Sequence, residues 1–353
     1  MPHRVTLIPG DGIGPEVSAA ARIVIDATGV AVDWDVQEAG ADVMEREGTP
    51  LPDHVIESVK ETRTALKGPI TTPVGTGFRS VNVALRQELD LFAAVRPSRH
   101  FPGVPTRHPG VNLVVIRENT EDLYQGIEFE QGAPETLKLE ETLMELVAYD
   151  LPDDAGITVK PISITGTQRI VRFGLEYARR HNRKHVTVGH KANIMKFSDG
   201  VFLATSSEVS KEYPDVDVRE LQVDEMAMWL AWEPESMDVL LLPNLYGDII
   251  SDLCAGLVGG LGIAPGANLG WEYAVFEPVH GSAPDIAGRG VANPVAVVLS
   301  AAMMLHHLGE SDAGLALERA VARVLEERRV LTPDMGGSST TDDVAREIAR
   351  SLR

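Results

Sequence analysis

The chain has 353 residues, with 32 Lys+Arg against 52 Asp+Glu and a formal net charge of −20. A hydrophobic fraction of 44% and a charged fraction of 24% belong to a folded globular protein and exclude extensive disorder, and the length calls for one large or two smaller domains. So acidic a chain has no general attraction for nucleic acid or an anionic membrane, neither of which is expected as a partner, and an anionic substrate would require positive charge concentrated locally. The single cysteine, Cys254, excludes an internal disulfide and suits a reducing compartment, so a cytoplasmic location is expected. The opening MPHRVTLIPGDG has no basic-then-apolar leader.

In chain order, Val5 to Ile8 reads as a short buried strand ending in Pro9-Gly10. Pro15 and Glu16 then open a helix with Val17, Ala20, Ala21, Val24 and Ile25 on one face, closed by Gly29. Ala31–Val36 is the next strand, and similar apolar runs at Val111–Ile116, His185–Val188 and Asp238–Leu242 each lead into a motif-rich loop. The stretch Gln131–Ser163 interrupts the alternation and reads as an insertion or oligomerisation arm. Arg179, Arg180, Arg183 and Lys184 read as a solvated helix C-terminus favoured by the helix dipole. Pro294 to Leu305 falls well short of the ~20 residues of a membrane span and predicts a buried helix. The last helix, with Leu317, Val321, Val324 and Leu325 on one stripe, precedes a turn at Pro333–Gly337. This alternation predicts an α/β protein with a parallel or mixed sheet.

Gly10-Asp11-Gly12-Ile13-Gly14-Pro15 between a strand and a helix invites a dinucleotide-binding reading. That fingerprint needs Gly or Ala where Pro15 stands, so the segment is read as a tight strand-to-helix connection instead. Four other segments carry chemistry. In the first, Thr71–Arg86, a Gly-rich loop precedes Asn82 and Arg86, which lie one helical turn apart. With Arg96 and Arg117 at the ends of apolar runs, three guanidinium groups could converge on carboxylates; singly, each is an ordinary surface partner. The second, Ile116–Gly126, contains Tyr124, and the third, Gly189–Asn193, contains Lys191 just past a strand end. A desolvated lysine there could lose its proton. The fourth, Asn244–Asp252, places Asp248 and Asp252 one turn apart. On spacing alone these read first as acids complementing a helix dipole, and second as oxygen ligands for Mg²⁺ or Mn²⁺. Cys254 reads as a packed core thiol.

In this order the segments resemble the β-decarboxylating dehydrogenases, the family of isocitrate, 3-isopropylmalate, homoisocitrate and tartrate dehydrogenases, from the PGDGIGPE start to the LTPDMGGS end. The resemblance implies the isocitrate/isopropylmalate dehydrogenase-like α/β fold, distinct from the Rossmann fold. It implies a large domain of 1–92 and 258–353 and a small domain of 93–257. The Gln131–Ser163 arm would be the clasp of a homodimer whose two clefts share residues. Tyr124 and Lys191 would be catalytic, and Thr72, Ser80, Asn82, Arg86, Arg96 and Arg117 would hold the substrate. Asp248 and Asp252, with Asp224 and Lys191 lent by the second protomer, would hold Mg²⁺ or Mn²⁺. The coenzyme would meet Asn193, Glu277, His280, Gly281, Ser282, Ala283, Asp285, Ile286 and Asn293. Asp285 would accept from the ribose hydroxyls of NAD and repel the 2′-phosphate of NADP, and NADP-dependent relatives carry Lys-Tyr where this chain has Asp285-Ile286. Ser80-Val81-Asn82 matches the tricarboxylate-contacting pattern of isocitrate dehydrogenases, so isocitrate is the expected substrate. Homoisocitrate, 3-isopropylmalate or another β-substituted malate are the alternatives, as is a non-catalytic regulatory subunit.

Overall fold

The computed structural model describes residues 2–71, 80–149, 151–152 and 154–352 of the chain. β1 (His3–Ile8) runs buried into Pro9, and α1 (Gly14–Thr28) follows. All five residues expected on the inner face of α1 are buried, and Gly29 ends it at φ 81°, a left-handed conformation that a Cβ would disfavour. β2 (Val32–Val36), α2 (Ala41–Glu47), α3 (Asp53–Thr62), β3 (Thr64–Lys67) and α4 (Val81–Glu88) come next. β4 (Ala93–Arg99) and β5 (Asn112–Glu118) lead to an arm of β6 (Glu128–Phe129), α5 (Pro134–Val147) and β7 (Ile157–Thr158). Then follow α6 (Ile164–Arg180), β8 (His185–His190), α7 (Ser198–Ser210), β9 (Asp217–Gln222), α8 (Val223–Trp232), β10 (Val239–Leu242) and α9 (Asn244–Val258). β11 (Pro265–Leu269), β12 (Ala274–Pro278), α10 (Val295–His307), α11 (Ser311–Glu327) and α12 (Thr341–Ser351) complete the chain.

Ten strands form one sheet in the order β2-β1-β3-β12-β11-β4-β5-β10-β8-β9. The pairs β12–β11, β11–β4 and β4–β5 are antiparallel and the other neighbours parallel. Antiparallel strands at its centre make this a mixed α/β sheet and not the all-parallel Rossmann arrangement. Strands from the two chain ends fill one half, and β4, β5, β10, β8 and β9 fill the other. The glycines after β1 serve close packing: a Cβ on Gly12 would fall 2.0 Å from the Ser282 carbonyl oxygen, and the Ile13 amide donates to that same oxygen at 2.8 Å.

The main core packs α1, α10, α11, α12 and the inner face of α9 together. It includes Cys254, fully buried, whose thiol burial pushes up to about 12. A second core lies beneath α6 and α7. α10 is the expected buried helix, and among the described residues no helix is long and apolar enough to cross a membrane.

One expectation is corrected. The helix bearing Leu317 is not the last: α12 follows it and packs on α1 and α11. It starts at a capping box in which the Thr340 hydroxyl and the Asp343 carboxylate satisfy each other's backbone amides, and the polar run before it concealed this start. The basic cluster lies at and just beyond the C-terminus of α6 and is largely exposed, as expected, with Arg179 paired to Asp215 at 2.6 Å and Arg183 to Asp238 at 3.0 Å. In the arm, β6 and β7 pair antiparallel. Thr136 is the buried residue of α5, while Leu137, Met144, Leu146, Val147 and Tyr149 are exposed.

Candidate active site

The site is built from the end of β5, the turn after it and the first turns of α9. Glu118 folds back so that its carboxylate accepts from the Thr120 and Glu121 amides at 2.9 and 2.8 Å. This bends the chain into a short 3₁₀ turn, Asp122–Gln125, which presents Tyr124. Arg117 is fully buried. Its Nε donates to Asn244 Oδ1 at 2.8 Å, it pairs closely with Asp248, and its guanidinium stacks 4.7 Å over the Tyr124 ring. Gly247 makes this approach possible, since a Cβ there would lie 2.6 Å from Arg117 Cβ. Burial, with Arg96 and Arg86 nearby, lowers the Arg117 pKa to about 9, which leaves it charged at neutral pH.

Asp248 gathers the cluster. Tyr124 Oη donates to its Oδ2 at 2.5 Å, and Arg96 Nη1 approaches Oδ1 at 3.2 Å while donating to Ser251 Oγ at 2.6 Å. Burial pushes the Asp248 carboxyl up, but Arg117 and Arg96 outweigh it and hold it below the usual range. Burial raises the Tyr124 phenol, and the Asp248 carboxylate adds to that. Asp252, one turn further along α9, lies 3.7 Å from Arg96, and burial followed by Asp248 raises its carboxyl.

Arg86, on α4, is buried and reaches Glu277 Oε1 at 3.5 Å. Glu277 is also held by Lys67 at 2.5 Å and Asn268 at 2.7 Å. Burial pushes this carboxyl up, yet Lys67 and Arg86 prevail and bring it to about 2. A cavity of about 300 Å³ is lined by Ser80, Val83, Leu123, Tyr124, Gly126 and Leu245 among others, which brings Ser80 beside Tyr124. Among the described residues, three buried polar atoms here have no hydrogen-bond partner: Asn82 Oδ1, Arg86 Nε and Arg117 Nη2. Such orphaned groups are costly unless a ligand completes them. A larger cavity, about 960 Å³, is lined by Phe101, Tyr177, Phe276 and Met303 among others and contains none of the expected site residues.

Lys191 stands apart from Tyr124. Its Nζ donates to Asp224 Oδ1 at 2.5 Å and Gln222 Oε1 at 3.2 Å, and its amide to Asp199 Oδ2 at 2.7 Å. The Lys191 hydrogen bond lowers the Asp224 carboxyl, which is largely exposed. Among the described residues no three of His, Cys, Asp and Glu cluster as a metal would require, so Asp224 does not join Asp248 and Asp252 within one chain. The Asp248–Asp252 pair offers only oxygen, with side chains 38% and 55% exposed. It fits a hard divalent cation that takes further ligands from elsewhere.

Among the residues expected to meet the coenzyme, the 280–290 loop packs against the turn after β1, where the Ile13 amide donates to the Ser282 carbonyl at 2.8 Å, and Ser282 Oγ lies 2.7 Å from Thr71 Oγ1 in the segment after β3. Gly281, Asp285 and Asn193 are exposed, and Ala283 and Ile286 partly so. His280 Nδ1 faces the Gly281 carbonyl at 2.9 Å, while its buried Nε2 has no partner among the described residues, and burial lowers its pKa. An exposed carboxylate and an unpartnered ring nitrogen on one loop are groups that a nucleoside could meet. Asn293 already has partners: its Nδ2 donates to Asp334 Oδ2 at 2.9 Å, and its Oδ1 accepts from the Val295 amide, the first of α10, at 3.0 Å. Thr72 lies outside the described residues.

The structure thus brings together Tyr124, Arg96, Arg117, Asp248 and Asp252, with Arg86 and Glu277 adjoining, and places Lys191 with Asp224 in a second group. The sequence reading missed Asn244, Ser251, Lys67 and Gln222, each of which orients a charged residue. Asn244 and Ser251 lie in the same segment as Asp248 and could have been found there; Lys67 carried no local signal.

The family model described as isocitrate/isopropylmalate dehydrogenase matches residues 4–348. A Dictyostelium discoideum protein, named as a regulatory component of mitochondrial NAD isocitrate dehydrogenase, is 44% identical over 99% of this chain and 93% of its own. A Thermus thermophilus isocitrate/homoisocitrate dehydrogenase is 45% identical, over 100% of this chain and 99% of its own. The crystal structure of isocitrate dehydrogenase from Methylococcus capsulatus superimposes with a TM-score of 0.91 at 48% identity, covering 99% of both chains. The cytoplasmic expectation is overturned: the Dictyostelium relative and those of Drosophila melanogaster, Arabidopsis thaliana, Macaca fascicularis and Caenorhabditis elegans are named mitochondrial, though the Thermus one carries no such label. A reduced lone thiol does not distinguish these compartments.

Proposed function

The chain belongs to the isocitrate/isopropylmalate dehydrogenase family, and from that premise we propose that it oxidatively decarboxylates isocitrate to 2-oxoglutarate and CO₂ with NAD. The observation that carries this reading is the convergence of Arg86, Arg96 and Arg117 on one locus, with Arg86 Nε and Arg117 Nη2 buried and unpaired. In a chain of net charge −20 they supply the local positive charge that a tricarboxylate needs, and guanidinium groups pair with carboxylates in a planar, two-pronged way.

The chain's own groups divide the work. Arg86, Arg96 and Arg117 hold carboxylates, and Ser80 and Asn82 sit where they can meet the γ-carboxylate. Mg²⁺ or Mn²⁺ held by Asp248, Asp252 and a second copy's Asp224 would supply Lewis-acid charge beside the substrate hydroxyl. Lys191, oriented by Asp224 and Gln222, helps take the hydroxyl proton in its neutral form, having first released a proton to water, as the carbinol carbon gives up hydride to NAD. After CO₂ departs, Tyr124 protonates the carbon left behind; its raised pKa keeps the phenol protonated until then. Asp285 would accept from the ribose hydroxyls of NAD, and His280 and Asn293 would meet its adenine.

We place the domain division at 1–92 with 258–353 and 93–257, and the working unit as a homodimer. The separation of Lys191 and Asp224 from Tyr124 supports a cleft completed by a second copy. So do the unpartnered apolar side chains of the arm and of Phe197 and Trp232, which are 89% and 79% exposed. The Dictyostelium relative's name raises a regulatory reading. The presence of Tyr124, Lys191, Asp224, Asp248 and Asp252 together favours the enzyme.

The test compares kcat/KM for isocitrate, homoisocitrate and 3-isopropylmalate, with NAD and NADP, in Mg²⁺. Isocitrate with NAD should lead. A preference for another substrate or for NADP would overturn the assignment, and no turnover with any would favour the regulatory role.

A further inference from the structure

A buried ion cluster lies between the two groups of proposed catalytic residues. Lys160 Nζ is 3.2 Å from Asp122 Oδ1 and 3.1 Å from Asp199 Oδ1, charge contacts without hydrogen-bond alignment, and both carboxylates are fully buried. The ammonium also lies 4.5 Å from the Tyr246 ring centre. Each carboxylate has a second task. Asp122 opens the turn that carries Tyr124, and its Oδ2 accepts from the Leu245 amide at 2.9 Å, so it holds the start of α9, the helix of Asp248. It does so at φ 68°, a conformation that persists in a non-glycine residue only where its surroundings dictate it. Asp199 Oδ2 accepts from the Lys191 amide at 2.7 Å.

We infer that Lys160 is a positioning residue that ties the Tyr124 turn and the start of α9 to the segment carrying Lys191. Two buried carboxylates this close to one ammonium repel each other without it, and a buried charge left unpaired pulls structure apart. The arm delivers the lysine: Lys160 follows β7, and the next residue, Pro161, accepts from the Asp122 amide at 3.0 Å. This inference rests on the roles given above to Tyr124 and Lys191. If Tyr124 serves its own cleft and Lys191 the partner's, the cluster is also a short mechanical link between the two clefts of a dimer.

Lys160→Met alone would strand both carboxylates and could fail to fold, so the main test is Lys160→Gln with Asp199→Asn, which removes one charge of each sign and keeps shape. Misplaced catalytic groups should cost about tenfold to a hundredfold in kcat, with KM for isocitrate within about threefold because the arginines are untouched. Asp122 keeps the Leu123 and Leu245 amides but loses its counter-charge, so the thermal midpoint should fall by several degrees while KM holds. Lys160→Ala, expressed, purified and assayed with ethylammonium throughout so that both carboxylates keep a counter-charge, should recover kcat, and equal sodium chloride should not. A kcat within twofold of the parent in the double variant, or losses in kcat, KM and thermal midpoint that move together and resist the amine, would overturn the inference. Tyr124→Phe and Lys191→Met assayed alongside separate the two levels. If they retain full activity, the reading of the site falls and the inference with it. If only they lose activity, the inference alone falls.

Discussion

One methyl group at position 247 should disconnect Arg117 from its work while leaving the fold nearly intact. An alanine Cβ there would stand 2.6 Å from both Cβ and Cγ of Arg117 and 3.1 Å from Cδ, about 1 Å inside ordinary carbon–carbon contact. Arg117 has no free space to yield into, being fully buried with Tyr124 stacked on it. Within α9, alanine gains about 1 kcal/mol of helix propensity over glycine, and the overlap costs about 1–3 kcal/mol. The net destabilisation is therefore about 0–2 kcal/mol, a shift of a few degrees in thermal midpoint. The functional loss is larger. A charge-assisted hydrogen bond to a substrate carboxylate contributes about 1.5–3 kcal/mol, so kcat/KM for isocitrate should fall roughly tenfold to a hundredfold. Steady-state NADH formation and a thermal melt on Gly247→Ala read both numbers. A variant that melts normally and keeps kcat/KM within twofold would refute the claim that Gly247 exists to admit Arg117.

Three further outcomes are expected. Glu277, at about 2 against an ordinary 4.5, contributes stability that is complete above pH 4.5 and lost as pH falls towards 2, worth about 3 kcal/mol. Urea melts across that range should show a shallower acid decline in Glu277→Gln than in the parent, and equal declines would contradict the ion-pair account. Cys254, buried with its thiol at about 12, should resist iodoacetamide at pH 8 until the protein is unfolded; stoichiometric labelling of the native protein would refute this. Asp285→Lys with Ile286→Tyr, on an exposed loop, should shift the kcat/KM ratio from NAD towards NADP by about tenfold or more, and an unchanged ratio would remove Asp285 as the coenzyme selector.

What the sequence made legible was local. The buried face of α1 followed from a 3.6-residue period, the pairing of Asn82 with Arg86 and of Asp248 with Asp252 from one-turn spacing, and the buried state of α10 from continuous apolarity. What it hid was convergence between distant segments. β3 lies against β12, so Lys67 meets Glu277, and no feature near either residue announces the other. Asn293 was expected to wait for adenine, yet Asp334 and Val295 already engage it. Ordered motifs supplied the list of charged residues, and the family resemblance the expectation that Lys191 and Asp224 come from a second protomer; the fold added the partners that hold them, Gln222 and Asp199.

The interleaving of strands in the sheet dictates an order of assembly during synthesis. β4, β5, β8, β9 and β10 emerge as one uninterrupted stretch and neighbour one another, so that half can collapse as soon as it leaves the ribosome. β1, β2 and β3 emerge first but wait roughly two hundred residues for β12 to cover their free edge and for α10, α11 and α12 to bury α1. Until then β3 presents unpaired backbone groups along a wholly buried-type strand, the kind of edge that recruits other chains. The earliest-made part of this protein is therefore its last to be finished, and its exposure to chaperones and proteases is set by the time taken to translate everything in between.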